Sequence, residues 1–103
     1  MKRIMLVCNA GMSTSMIVTK MEKESEKRGL STEIFAVPVS EVDNQVAEKE
    51  IDVILVGPQV KFMLKEYKDN FSPEIKVDSI EMKDYGTMNG ANILNTALEM
   101  LEE

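Results

Sequence analysis

The chain has 103 residues, 44% of them hydrophobic and 5% aromatic, with no tryptophan and a formal net charge of −6. That length supports one domain spanning residues 1–103, with a core able to fold without staples. The negative balance, with no Lys/Arg cluster interleaved with aromatics, argues against wholesale neutralisation of a nucleic-acid backbone.

A single cysteine rules out an internal disulfide. The absence of histidine removes the commonest acid–base residue, a phosphohistidine carrier and most zinc sites, so no metal or cofactor is expected. No apolar run approaches the ~20 residues that a membrane span needs. The opening Met-Lys-Arg-Ile-Met-Leu-Val has a superficial likeness to a signal peptide, but its apolar part is too short. A cytoplasmic protein without membrane insertion is expected.

Lys2–Cys8 is a short, continuous run of Ile, Met, Leu and Val, which predicts a strand buried on both faces. It delivers Cys8 into a turn of small residues, and a helix is predicted from there, with Ser13 or Thr14 as its cap. Thr14, Ile17, Val18, Met21 and Ser25 share one helical face, Lys20, Lys23 and Lys27 the opposite one, and Met16 sits among the lysines. Gly29 ends this helix.

Residues 32–37 predict a second strand, closed by Pro38, and Ser40-Glu-Val-Asp is a near capping box for a modest helix reaching about Lys49. Residues 51–56 form a third apolar run that breaks at Gly57-Pro58-Gln59, with the proline suited to a first helical position. Val60, Met63, Leu64, Tyr67 and Phe71 mark one face of the next helix, which Ser72-Pro73 ends. Residues 74–80 supply a fourth strand, residues 81–88 a polar loop, and Ile93, Leu94, Ala97, Leu98 and Leu101 the stripe of a last helix starting near Asn89 or Gly90.

Alternating strands and helices predict a single-domain α/β fold, a three-layer α/β/α sandwich around a four-stranded parallel sheet of order 2-1-3-4. Ligands bind such sheets at the carboxyl ends of the strands, beside the switch point between strands one and three. The loops there are residues 8–15 and 57–59. Topology and chemistry select the same corner.

Helix N-termini leave backbone N–H groups unpaired and carry a positive dipole end, so this P-loop-like first turn is suited to an anion. The same field favours a thiolate over a thiol. Ala10, Gly11, Ser13, Thr14 and Ser15 are small enough for amides to converge on a phosphate, and the hydroxyls add donors. The plain alternative is that Cys8 is a small hydrophobe at the end of a buried strand.

A Cys-x5-Arg phosphatase loop has the same general shape, but the sixth residue after Cys8 is Thr14 and no Asp-Pro pair supplies a general acid. A loop able to hold phosphocysteine but lacking groups to activate water favours a carrier over a hydrolase. Two alternatives stay open: a low-molecular-weight phosphatase relative that has lost its arginine, and an anion or redox sensor using the same cysteine.

Cys8-Asn-Ala-Gly-Met-Ser-Thr-Ser15, with Gly57-Pro58-Gln59 and Tyr85-Gly86, resembles the enzyme IIB component of the lactose/cellobiose-type (chitobiose-type) phosphoenolpyruvate-dependent sugar phosphotransferase system. The resemblance spans nearly the whole chain and implies a phosphotransferase. Cys8 would take a phosphoryl group from a histidine of enzyme IIA and pass it to a sugar bound by the membrane permease, enzyme IIC. It also implies that Asn9, Ala10, Gly11, Met12, Ser13, Thr14 and Ser15 form the phosphate-binding loop, with Gly57, Pro58 and Gln59 beside it. Met12 and Met16, rimmed by Lys20 and Lys23, are apolar where solvent is expected and suit a surface that meets both partners. Tyr85 is expected at the surface.

Overall fold

The computed structural model describes residues 1–9 and 12–102, residues 12 and 13 by backbone alone. Four strands, β1 (Lys2–Cys8), β2 (Thr32–Pro38), β3 (Val53–Val56) and β4 (Lys76–Ser79), pair in parallel in the order β2-β1-β3-β4. Among the described residues the α-helices are α1 (Met12–Lys27), α2 (Val42–Glu48), α3 (Leu64–Phe71), α4 (Met82–Gly86) and α5 (Gly90–Leu101). The sheet order and strand direction are those expected from the alternation of elements. β1 is paired on both sides and buried from Ile4 to Cys8, which is why it carries no polar alternation.

Successive side chains of β1 point to opposite faces and so divide the core in two. Ile4 and Leu6, with Val53 and Leu55, meet Ile17 and Met21 of α1 and Ile93, Leu94 and Ala97 of α5. Met5 and Val7, with Ile54 and Val56, meet Val42 of α2 and Tyr67 of α3. Fully burying one such aliphatic side chain contributes about 1.5–3 kcal/mol relative to leaving it in water. Helices on both faces give the three layers.

The inward face of α1 follows its period, with Thr14, Ile17, Met21 and Ser25 buried and Lys20, Lys23 and Lys27 exposed. Ser25 is satisfied there by the Thr32 hydroxyl at 2.7 Å. Gly29, at φ 69, takes the left-handed conformation past the end of the helix, and Leu30 N donates to Ser25 O at 2.9 Å.

Several boundaries differ from the sequence expectation. The first helix begins at Met12, so Ser13 and Thr14 lie inside its first turn and neither caps it. The second helix opens with a 3-10 turn over Val39–Glu41, and no side-chain hydrogen bond caps α2 among the described residues, so the near capping box does not close.

The third helix is broken. Pro58–Met63 is 3-10 in character with Val60 at φ −120 and ψ 24, and regular α-helix starts only at Leu64. Val60 is buried at this kink while Phe62 is 77% exposed. The third strand begins at Val53 because Asp52 already uses its carboxylate, accepting from Arg3 N at 2.8 Å. The polar stretch after the fourth strand is not all loop, since residues Met82–Gly86 form α4. A helix this short leaves no room for an apolar period to declare itself.

Candidate functional site

Cys8 is the last residue of β1 and pairs with Pro38 of β2 at the carboxyl edge of the sheet. It is 6% exposed, and its thiol donates to Val37 O at 3.8 Å. It is not a member of either apolar cluster described above. The sixteen-residue α1 follows after three intervening positions, and its first turn contains no acidic side chain. The N–H groups of such a turn have no intrahelical acceptors, and the helix dipole adds positive potential beside the sulfur.

Asn9 is exposed, as is Ser15, whose carbonyl accepts from Thr19 Oγ1 at 3.1 Å. Ala10 and Gly11, and the side chains of Met12 and Ser13, lie outside the described residues, so the phosphate-contact and docking expectations placed on them lie there too. Met16 is 51% exposed. Lys20 is also exposed, but its backbone and Cβ lie against α5: a Cβ on Gly90 would fall 2.7 Å from Lys20 Cβ and 2.8 Å from Lys20 C. Only glycine permits α1 and α5 to approach this closely.

Gly57 is buried at the end of β3, next to the end of β1, with its N–H donated to Val7 O at 2.8 Å. A Cβ there would lie 3.2 Å from Val7 O and 3.7 Å from Tyr85 Cε2. Pro58 and Gln59 follow and, with Met82, Tyr85 and Gly86, line an open cleft of about 410 Å3. The carboxyl ends of β1 and β3 therefore lie side by side at one corner, where sheet topology places a ligand.

Tyr85 departs from the expectation of a surface residue. It is half-buried against the core on the α1–α5 face, and its hydroxyl lies 3.1 Å from Thr14 Oγ1. Thr14 is 2% exposed, so the hydroxyl expected to cap the helix or touch phosphate is already engaged by Tyr85. A hydroxyl both donates and accepts, so Thr14 retains one further hydrogen-bonding site.

The turn that carries Tyr85 is held from below. Asp84 is buried and accepts from Asn92 Nδ2 at 3.0 and 3.1 Å, and Asn89 N donates to Asp84 O at 2.9 Å. Asn89 in turn caps α5 by accepting from Asn92 N at 3.0 Å. Met88 sits at φ 50, a left-handed conformation that costs a non-glycine residue about 1–2 kcal/mol. Sequence reading passed over Asp84, Asn92 and Met82. The available signal was position alone, since this stretch follows the edge strand next to β3.

Among the described residues no group of three or more His, Cys, Asp or Glu side chains could hold a metal ion. No helix there is long and apolar enough to cross a membrane.

A family model described as "PTS system, Lactose/Cellobiose specific IIB subunit" matches residues 3–96. The chain is 41% identical to the galactose-specific EIIB component of a phosphotransferase system from Lactococcus lactis subsp. cremoris, over 97% of this chain and 96% of that protein. It is equally, 41%, identical to the cellobiose-specific EIIB component from Lactococcus lactis subsp. lactis, with the same coverage. A solution structure of a cellobiose-specific phosphotransferase IIB component from Borrelia burgdorferi superimposes with a TM-score of 0.78 at 35% identity, covering 98% of this chain and 92% of that one.

Proposed function

Because the chain belongs to the family of lactose/cellobiose-specific IIB subunits of the sugar phosphotransferase system, and is thus a phosphotransferase component, we propose that Cys8 is the residue that carries the phosphoryl group. The observation that supports this most is position. The one sulfur nucleophile of the sequence ends the central strand, one short turn ahead of a long helix with no acid in its first turn.

In the proposed cycle the Cys8 thiolate attacks the phosphorus of a phosphohistidine on enzyme IIA. The thiol proton is lost to solvent before the attack; the S–P bond then forms as the N–P bond breaks, and the released ring leaves as neutral imidazole with a proton taken from solvent. A hydroxyl of a sugar held by enzyme IIC then attacks the same phosphorus. An O–P bond forms, the S–P bond breaks, sulfur departs as thiolate, and the hydroxyl proton passes to solvent. Both steps need alignment and charge stabilisation more than covalent help from the protein.

In this reading Asn9, Ala10, Gly11, Met12, Ser13, Thr14 and Ser15 supply the anion's surroundings through main-chain N–H groups, with hydroxyls as auxiliaries. Gly57, Pro58 and Gln59 wall the adjoining side. Met12 and the exposed Met16, with the exposed Lys20 and Lys23 on the same helix, are the residues assigned to the surface that both partners meet. The sugar is a disaccharide of the cellobiose, chitobiose or lactose kind. Its choice rests mainly with enzyme IIC, in keeping with two relatives equally similar to this chain that carry different sugar names.

The test is incubation with phosphoenolpyruvate, the general phosphotransferase proteins and enzyme IIA, read by intact mass. One phosphate-sized increment is expected on the wild type and none on Cys8→Ser. An increment that survives in Cys8→Ser overturns the assignment.

A further inference from the structure

The Tyr85 hydroxyl has one protein partner among the described residues, the hydroxyl of Thr14, and that pair joins the segment after β4 to the first turn of α1. The contact closes a ring of packed elements. Thr14 of α1 bonds Tyr85 of α4, Asp84 of α4 bonds Asn92 of α5, and Gly90 of α5 lies directly against Lys20 of α1. Links of different chemistry thus tie α1 to α4 directly at its first turn and to α5 near its middle. The tyrosine ring also passes the β3 turn, where its Cε2 lies 3.7 Å from the position a Cβ would take on Gly57.

Tertiary packing alone does not call for this arrangement. A phenylalanine would fill the same space, and replacing both hydroxyl partners of a hydrogen bond by apolar groups of similar shape can be nearly neutral to stability, so packing alone does not require the pair. Two hydroxyls facing each other add direction: they fix the rotation and height of the first turn of α1 relative to the strand end that carries Cys8.

We infer that Tyr85 is a positioning residue for phosphoryl transfer, acting through Thr14 to hold the first-turn N–H groups of α1 at the place where charge develops on the phosphoryl oxygens. This rests on the reading of Cys8 as the phosphoryl carrier. Preorganised donors stabilise a transferring group only if they need not reorganise during the step, and a displacement of a fraction of an ångström is costly in rate. Tyr85 touches neither sulfur nor phosphorus in this scheme. Its effect falls on the turnover step and leaves partner affinity alone.

The experiment is a double-mutant cycle on Tyr85→Phe and Thr14→Val, with Thr14→Ser as the conservative control, measuring transfer from phosphorylated enzyme IIA to the full-length chain. Each of the two hydroxyl-removing variants should lower kcat about tenfold with KM for phospho-enzyme IIA unchanged. The double variant should be no slower than either single one, because both remove the same contact. Thr14→Ser, which keeps a hydroxyl, should stay within about twofold of wild type. Wild-type kcat in both single variants, multiplicative losses in the double variant, or a loss confined to KM would each overturn the positioning role. Failure of the wild type to gain phosphate, or a gain retained in Cys8→Ser, would instead overturn the carrier reading on which it rests.

Discussion

The Cys8 thiol points across the sheet edge at the Val37 carbonyl oxygen, 3.8 Å away. A thiol can donate that weak bond, but a thiolate or a phosphorylated sulfur has no proton to give and would set negative charge against a carbonyl oxygen. If Cys8 carries the phosphoryl group, its phosphorylation must break this contact. The carbonyl carbon resonance of Val37 is expected to shift on phosphorylation of the wild type. A Val37 carbonyl that does not respond would show that this contact is not what modification displaces.

Gly90 shows how tightly α5 is drawn onto α1, since a methyl group there would stand 2.7 Å from Lys20 Cβ and 2.8 Å from Lys20 backbone. Backbone cannot step aside as a flexible side chain can. Gly90→Ala is expected to destabilise the fold by about 1–3 kcal/mol, the usual cost of overpacking. Urea denaturation measures it. Unchanged stability would mean that the two helices separate easily.

Tyr67 is 3% exposed and stacks on Phe71 with ring centroids 5.9 Å apart, yet its hydroxyl finds no hydrogen-bond partner among the described residues. Burial, helped by the negative charges of Glu66 and Asp43, holds its phenol above the usual tyrosine range. The folded state thus keeps the proton more firmly than the unfolded chain. The associated stability is present below the unfolded value of about 10 and is lost as pH rises through the raised one. Tyr67→Phe keeps the ring and removes the buried hydroxyl. It should gain about 1 kcal/mol at neutral pH and flatten the alkaline limb of the stability profile. A loss of stability would contradict this.

Met16 is half exposed on α1, followed one and two turns on by the exposed Thr19, Lys20 and Lys23. If this methionine is part of the partner surface, Met16→Asp should slow transfer from enzyme IIA about tenfold while leaving thermal stability within a degree or two, as expected for an anchor at a docking patch. Wild-type transfer would remove Met16 from the interface.

The sheet and the corner it creates were legible because β1 and β3 are buried on both faces and read as continuous apolar runs, and because few right-handed connections join four parallel strands. The stripe of α1 was legible for the same reason, its period being long enough to repeat four times. What escaped was decided by single tertiary contacts. Thr14 sits inside its helix, bonded to a residue 71 positions away. Tyr85 lies on a five-residue helix whose burial depends on the Asp84–Asn92 link, and no periodicity reports that. The break at Val60 arises where a buried valine follows Gly57-Pro58, and a smooth apolar stripe concealed it.

The phosphocysteine assignment is tested most directly by locating the phosphate. The chain would be phosphorylated through phosphoenolpyruvate, the general proteins and enzyme IIA, cleaved under conditions that preserve thiophosphate esters, and sequenced by tandem mass spectrometry. The expected result is a single phosphate on the peptide containing Cys8, carried by the cysteine itself and discharged when sugar-loaded enzyme IIC is added. Phosphate found on Ser13, Thr14 or Ser15 instead, or on Cys8 but unmoved by enzyme IIC and sugar, would contradict it.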